Sequence, residues 1–403
     1  MFLIVGASIR ALMESAVESG YPVMGIDFFG DLDTRRCGKT VGIVNDLGLA
    51  PTVKDLLQVA RGLTCQGLVY VSGPENHPDE LTFWEERGLL CGNGVSAIKQ
   101  VRDPWQLRQD LSEIGIAMPE FYRVEQWSPD ETGEKWLLKP LNRGGGHGIA
   151  ELPQEKAAAR ALISSLGDPS RYIVQEYISG IPASVTFLAD ERQAVVLGTS
   201  RQLTGIQGSQ PFIYAGNIVP FDISFLPGLR TFEEDLIRIS KHLASAFGLR
   251  GVNTLDFIVN SSGIWVLELN PRWSASVELI EKRRGERLFS HHIAACKAKG
   301  QNQFPSSGDN CKPVHKPGLP GFWGKSIVYA QSSFQVTADL DMQSLYEQGV
   351  RDIPPAGTRL ESGQPICTVL SGAASDAVCW QSLQVKSEWA RQVFGDIKSS
   401  AAR

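Results

Sequence analysis

The stretch VNTLDFIVNSSGIWVLELNPRWSASVE, residues 252–278, decides how this chain is read. Its apolar runs at 254–259 and 264–269 flank Asn260-Ser261-Ser262-Gly263, which predicts a β-hairpin. Each run carries one acid, Asp256 in the first and Glu268 in the second. Side chains two apart on a strand share a face, so Glu268 and Asn270 point the same way, and hairpin pairing can bring Asp256 beside them. Two carboxylates and an amide oxygen gathered on a buried sheet repel each other and lose hydration unless a cation sits between them. An all-oxygen trio suits Mg²⁺ that is also carrying phosphates, with Mn²⁺ as an alternative ion. Arg272, at the strand exit, can grip a phosphate or carboxylate bidentately. The plainer reading makes both acids solvent-face residues of an ordinary hairpin.

A second constellation lies upstream, in KWLLKPLNRGGGHGI at 135–149. An apolar strand ending on Lys139 presents one cation at the edge of a cleft. The glycines behind it, Gly144, Gly145, Gly146 and Gly148, let backbone N–H groups close on phosphate oxygens without interference from a Cβ. The loop is not a Walker motif, which needs G-x4-G-K-[ST] running into a helix. The alternative is a flexible surface loop with a solvated lysine. His147 could reach a phosphate or remain in water.

Around these motifs, composition sets limits. The 403 residues have room for two or three domains, and 42% hydrophobic with 21% charged residues is ordinary for a soluble globular protein. A net charge of −5 argues against a nucleic-acid partner. No run approaches 18 apolar residues, and the opening MFLIVGAS lacks a basic n-region, so no membrane partner and a cytoplasmic location are expected. Seven scattered cysteines with no C-x2-C pair predict reduced thiols. Residues 1–95 alternate strand and helix signals, as a parallel α/β sheet does. Asp27 after the second strand invites an NAD reading, but Gly6-Ala7-Ser8-Ile9-Arg10-Ala11 has one glycine where the dinucleotide fingerprint needs three. Two helices are expected at 95–101 and 104–114 and another at 232–247. Hairpin strands at 185–189 and 194–198 lead to Arg201, which could hold a phosphate or a substrate carboxylate or lie on the surface. Residues 301–321 read as a linker, and 322–403 as short strands between Pro-Gly turns.

The order D-x11-E-x-N-P-R at 256–272 resembles the metal-binding signature of the ATP-grasp superfamily. The lysine with its glycine loop and the strand RYIVQEYI at 171–178 strengthen that resemblance, which covers about residues 1–300. It implies an α/β and α+β fold: a Rossmann-like preface domain at 1–95, a two-lobed ATP-grasp core at 96–300 and a small β-rich C-terminal domain at 322–403. It implies ATP with Mg²⁺ bound between the lobes, Asp256, Glu268 and Asn270 as metal ligands, and Arg272, Lys139 and Arg201 at the reacting groups. In the family the lysine contacts the nucleotide and the loop covers the triphosphate, which assigns those roles to Lys139 and Gly144, Gly145, Gly146 and Gly148. The backbone of Glu176, Tyr177 and Ile178 would meet the adenine edge, and Gln175 or Glu176 would stand in for the ribose-binding acid. A lysine often found after the Asp of a helix start is replaced here by Pro104, with Lys99 and Arg102 nearby. The implied activity is ATP-dependent joining of a small carboxylate to an amine through an acyl phosphate, with a homodimer as a possible assembly. The texture of DPWQLRQDL, SRQLTG and LELNPRWSASVE resembles ATP-grasp proteins found with one-carbon carrier cofactor genes, which suggests an amino acid such as glutamate joined to a cofactor precursor. A nucleotide sensor without ligation and an NAD-linked enzyme remain the alternatives.

Overall fold

Phe2–Val5, a run of four buried apolar residues, lies inside a four-stranded parallel sheet with strand order Lys39–Gly42, Val23–Asp27, Phe2–Val5, Gly67–Tyr70. Parallel strands are covered on both faces, which is why this run shows no alternation. Helix Val53–Arg61, capped by Thr52, whose side chain accepts the Asp55 N–H, lays Leu56, Leu57 and Ala60 on one face of that sheet. The computed structural model describes residues 1–128, 134–206, 209–226, 228–229, 231–298, 319–336 and 340–395. The predicted linker therefore lies outside the described residues, apart from 319–321.

The next unit is a small antiparallel sheet, ordered Phe121–Arg123, Tyr172–Glu176, Trp136–Pro140, Ala150–Glu151. It faces an eight-stranded sheet ordered Gly263–Asn270, Arg250–Asn260, Ile181–Asp190, Ala194–Thr204, Tyr214–Val219, Phe322–Tyr329, Pro365–Ala373, Val350–Arg351. Alternation along the central strands divides the large sheet into two chemistries. Val185, Phe187, Leu255 and Phe257 pack on Leu236, Ile239 and Leu243 of helix Phe232–Phe247. On the opposite face Leu188 and Val252 pack on Ile280, Phe289 and Ile293, and further along that face the side chains turn polar. No helix among the described residues is long and apolar enough to cross a membrane.

The C-terminal segment differs from the expected string of short strands in two ways. Its strands Phe322–Tyr329, Pro365–Ala373 and Val350–Arg351 continue the large sheet, and helix Asp376–Phe394 covers them. Ser375 caps the helix start by accepting the Val378 N–H, and Gly395 ends it in the left-handed conformation. A Cβ on Gly324 would lie 2.7 Å from the Cys379 sulfur and 2.8 Å from Leu383, so glycine is what lets the helix sit this close to the sheet.

One buried ionic cluster ties the three regions together. Arg10, 1% exposed, donates from Nη1 to Glu14 (3.0 Å) and Glu278 (2.8 Å), from Nη2 to Glu278 (2.9 Å), and from Nε to Asp352 (2.9 Å). Lys325 adds a second cation 3.2 Å from Glu278. Asp33 accepts the backbone N–H groups of Asp352 and Ile353, each at 2.9 Å. Burial alone would push the Glu278 carboxyl up, but Arg10 and Lys325 hold it well below the usual carboxylate range.

Candidate active site

The hairpin of Arg250–Asn260 and Gly263–Asn270 pairs Asp256 directly with Glu268 and Thr254 with Asn270, and the register shifts just past Asp256. Asn270 donates to Asp256 (2.8 Å), and Gln202, on a strand two places away, donates to the other Asp256 oxygen (2.7 Å). Glu268 faces cations instead. Lys139 Nζ lies 3.2 Å from it and Arg102 3.9 Å. Arg272 donates from its guanidinium to the Asn270 side-chain Oδ1 (3.1 Å) and to Glu75 (2.8 Å), a buried acid after the last strand of the first domain. Asp256, Glu268, Asn270, Lys139 and Arg272 thus converge on one spot.

The electrostatics of that spot ask for a cation. Burial, and then the neighbouring Glu268 charge, push the Asp256 carboxyl up to about 7. Burial works the same way on Glu268, but Lys139 and Arg102 outweigh it and keep that carboxyl below the usual range. A divalent ion between the two would relieve the repulsion that keeps a proton on Asp256 near neutral pH. The donors are all oxygen, so the residues present fit Mg²⁺.

Beneath the pair runs a floor of buried hydroxyls on the same sheet face. Ser184 and Ser200 are 2.7 Å apart, Asn217 donates to Ser200 (2.9 Å), and Thr254 donates to Ser274 (2.7 Å), which meets Ser276 at 2.8 Å. Each hydroxyl satisfies its neighbour, so the face stays polar without orphaned groups. Such a ladder fixes the strands and turn that carry the acids.

Lys139 comes from strand Trp136–Pro140 of the small sheet, and the glycine loop follows it. Gly145, Gly146 and Gly148 have φ of +64°, +77° and +81°, values that disfavour any side chain. The loop touches the large sheet: the Tyr214 N–H donates to the Gly145 carbonyl (2.9 Å), and a Cβ on Gly146 would lie 1.9 Å from the Phe212 carbonyl oxygen. Gly144, by contrast, has open space where its Cβ would be. Gly146→Ala is therefore expected to hold the loop off the opposite lobe and to cut turnover by roughly 10- to 100-fold, while Gly144→Ala leaves it near wild type. Steady-state rates of both variants check this, and equal rates would show that the contact has no part in closure.

The strand Tyr172–Glu176 places Gln175 in the interior, and the Glu176 carboxylate accepts the Glu120 N–H (3.1 Å) while the Tyr177 N–H donates to Lys135 (2.9 Å). Behind Lys139 a cavity of about 30 Å³ is lined by Val101, Arg102, Leu141, Ile173, Gln175, Leu267 and Glu268. Arg201 is placed differently from the sequence expectation. It neighbours Gln202 on one strand, and successive strand residues face opposite ways. Its guanidinium forms a bidentate pair with Asp376 (2.7 and 3.0 Å), away from the carboxylates. Sequence reasoning missed Gln202, Glu75 and the reach of Arg102. Only the spacing of Ser200 and Gln202, two apart in SRQLTG, hinted that Gln202 shares a face with the polar floor.

Comparison with known proteins places this geometry. Residues 101–276 match the family described as the ATP-grasp domain. An uncharacterised protein of Methanocaldococcus jannaschii is 21% identical over 92% of this chain and 87% of its own length. Among solved structures, the L-amino acid ligase of Bacillus licheniformis shares the fold with a TM-score of 0.66 at 15% identity, covering 96% of each chain. The biotin carboxylase domain of Hydrogenobacter thermophilus 2-oxoglutarate carboxylase, a dimer in complex with MgADP, ADP and bicarbonate, does so with a TM-score of 0.67 at 15% identity over 98% of this chain and 90% of that one. With the two facing sheets and the lysine, glycine loop and paired acids set between them, residues 101–276 of the chain form an ATP-grasp domain.

Proposed function

We propose that the protein is an ATP- and Mg²⁺-dependent ligase that activates a carboxylate as an acyl phosphate and joins it to an amine. The observation that carries this reading is Asp256 paired with Glu268, facing Lys139 from the glycine-loop lobe. In the reaction a carboxylate oxygen of the substrate attacks the γ-phosphorus of ATP, the bond from that phosphorus to the β–γ bridging oxygen breaks, and ADP leaves. The amine then attacks the acyl carbon, the C–O bond to phosphate breaks, and the amine proton passes to phosphate or water. Asp256, Glu268 and Asn270 would hold Mg²⁺, which supplies charge neutralisation on the phosphates. Lys139 would exchange Glu268 for a phosphate oxygen when nucleotide enters. Arg272, oriented by Glu75, offers its remaining N–H groups to the transferring phosphoryl group. The glycine loop would exclude water from the reacting carboxylate. An amino acid as amine donor is supported by the likeness in fold to the L-amino acid ligase and goes no further than that.

The test is phosphate release from ATP, screened over carboxylates, bicarbonate included, each with and without amino acids. The expected result is release that needs Mg²⁺, a carboxylate and an amine together, with ADP and an amide formed in equal amounts. Release that is indifferent to every carboxylate, or the absence of Mg²⁺-dependent nucleotide binding, would overturn the reading.

A further inference from the structure

A second cavity, of about 150 Å³, opens near the middle of the large sheet, beyond the paired part of strands Ala194–Thr204 and Tyr214–Val219 and between helices Phe232–Phe247 and Val277–Arg284. Its wall is apolar, with Leu197, Val219, Phe221, Leu236 and Ile280, yet two arginines and an acid also line it, and one of the arginines, Arg284, is already paired with Glu286 at 2.6 Å. Arg283 is half-buried and donates from Nε to the Gly321 carbonyl (3.1 Å), and among the described residues no carboxylate pairs with its two terminal amino groups. Glu233, exposed in the first turn of its helix, has no ion-pair partner among the described residues either. Burial, and the adjacent Arg284, lower the Arg283 pKa, the direction expected of a guanidinium that lacks an anion. A cavity of this volume with apolar walls takes a body about the size of benzene. One sign of charge at the rim would suit a simple anion. Both signs beside an apolar wall suit a zwitterion.

We propose that this cavity binds a free apolar α-amino acid, with its carboxylate on Arg283, its ammonium toward Glu233 and its side chain against Leu197, Val219, Phe221 and Leu236. The site is a regulatory one, because both elements that enclose it lead to the paired acids. Thr199, on its wall, is three residues before Gln202, which holds Asp256, a run of roughly 10 Å along an extended strand. Helix Val277–Arg284, on the other side, begins seven residues after Asn270. Occupancy would press on both and shift the Mg²⁺ requirement of the active site.

Calorimetry on the full chain without ATP tests binding independently of the ligase reading, with L-leucine and L-phenylalanine as probes. 4-Methylpentanoate, which lacks the ammonium, and 3-methylbutylamine, which lacks the carboxylate, separate the two charges. The expected result is saturable binding of the amino acids, with roughly tenfold or greater weakening for either truncated probe and for either Arg283→Gln or Glu233→Gln. Leu197→Trp, which fills the cavity from its wall, should abolish binding while thermal unfolding stays near wild type. No saturable heat at millimolar amino acid, or binding that survives unchanged in all three variants, overturns the proposal. A shift of the Mg²⁺ titration by L-leucine is a separate readout that rests on the proposed ligase activity, so its failure with binding intact would remove only the regulatory coupling.

Discussion

Glu268→Gln is expected to lower turnover by on the order of 10³-fold at ordinary Mg²⁺ concentrations, with the fold unharmed. The substitution keeps shape and removes one charge from a site where that charge has two tasks. It balances Lys139 at 3.2 Å and would supply one of the two carboxylates that make the spot attractive to a divalent ion. The free protein should lose some stability at neutral pH, since Lys139 and Arg102 hold the Glu268 carboxyl below its usual range and its charge therefore favours the fold, even though its loss relieves the repulsion on Asp256. Excess Mg²⁺ should restore part of the rate, because the defect lies in metal affinity. Arg272→Met should respond differently: the guanidinium acts on the transferring group, so its loss lowers turnover without rescue by Mg²⁺. Phosphate release measured over a Mg²⁺ titration distinguishes these behaviours. Wild-type rates in both variants would reduce the hairpin to a structural ribbon and end the ligase proposal.

For stability the largest loss is expected from Arg10→Met, about 3–5 kcal/mol at pH 7. Removing the guanidinium leaves Glu278, Glu14 and Asp352 with far less compensation in a region where Arg10 itself is almost fully enclosed. In the native protein Glu278 ionises well below its ordinary value, so its contribution is present above the unfolded pKa and is lost as pH falls through the depressed folded one. In the variant the same burial makes the charged form costly, and protonation in mild acid relieves it. The gap between the two proteins should therefore narrow as pH drops from 7 toward 4. Urea unfolding across that range is the measurement, with Arg10→Met/Glu278→Gln expected to recover part of the loss. A deficit under about 1 kcal/mol at pH 7 would mean that the cluster is well hydrated, as exposed pairs are.

The hairpin and the lysine with its glycine loop were legible because their information is local. Strand alternation, a turn and a fixed offset bring Asp256, Glu268 and Asn270 together before any tertiary contact is known. What escaped depends on contacts between distant positions. Arg10 meets Glu278 across 268 residues, Arg272 meets Glu75 across 197, and Gln202 meets Asp256 across 54, and no periodicity encodes such pairings. Arg201 could not be assigned a face until its strand's register was known. Helix Asp376–Phe394 was obscured because exposed Val378 and Val385 lie on its solvent side, which blurs the apolar stripe of Cys379, Leu383 and Phe394. Its caps, Ser375 and Gly395, were the readable signs. In the first domain strand Lys39–Gly42 passes directly into the short helix Ile43–Leu47, a change that the apolar residues Val41, Ile43 and Val44 do not announce.

The shared eight-stranded sheet has a consequence for how this chain can be divided. Strand Tyr214–Val219 is bonded on one side to Ala194–Thr204 and on the other to Phe322–Tyr329, which comes from beyond the family's domain. A chain ending before Phe322 would strip that second partner away and leave a row of unsatisfied N–H and C=O groups beside newly exposed Ile218 and Ala215, buried in the whole protein. Bare edges of this kind recruit strands from other molecules. The last segment therefore acts as the sheet's seal against self-association, and the smallest soluble unit of this protein extends well past the residues that carry its chemistry.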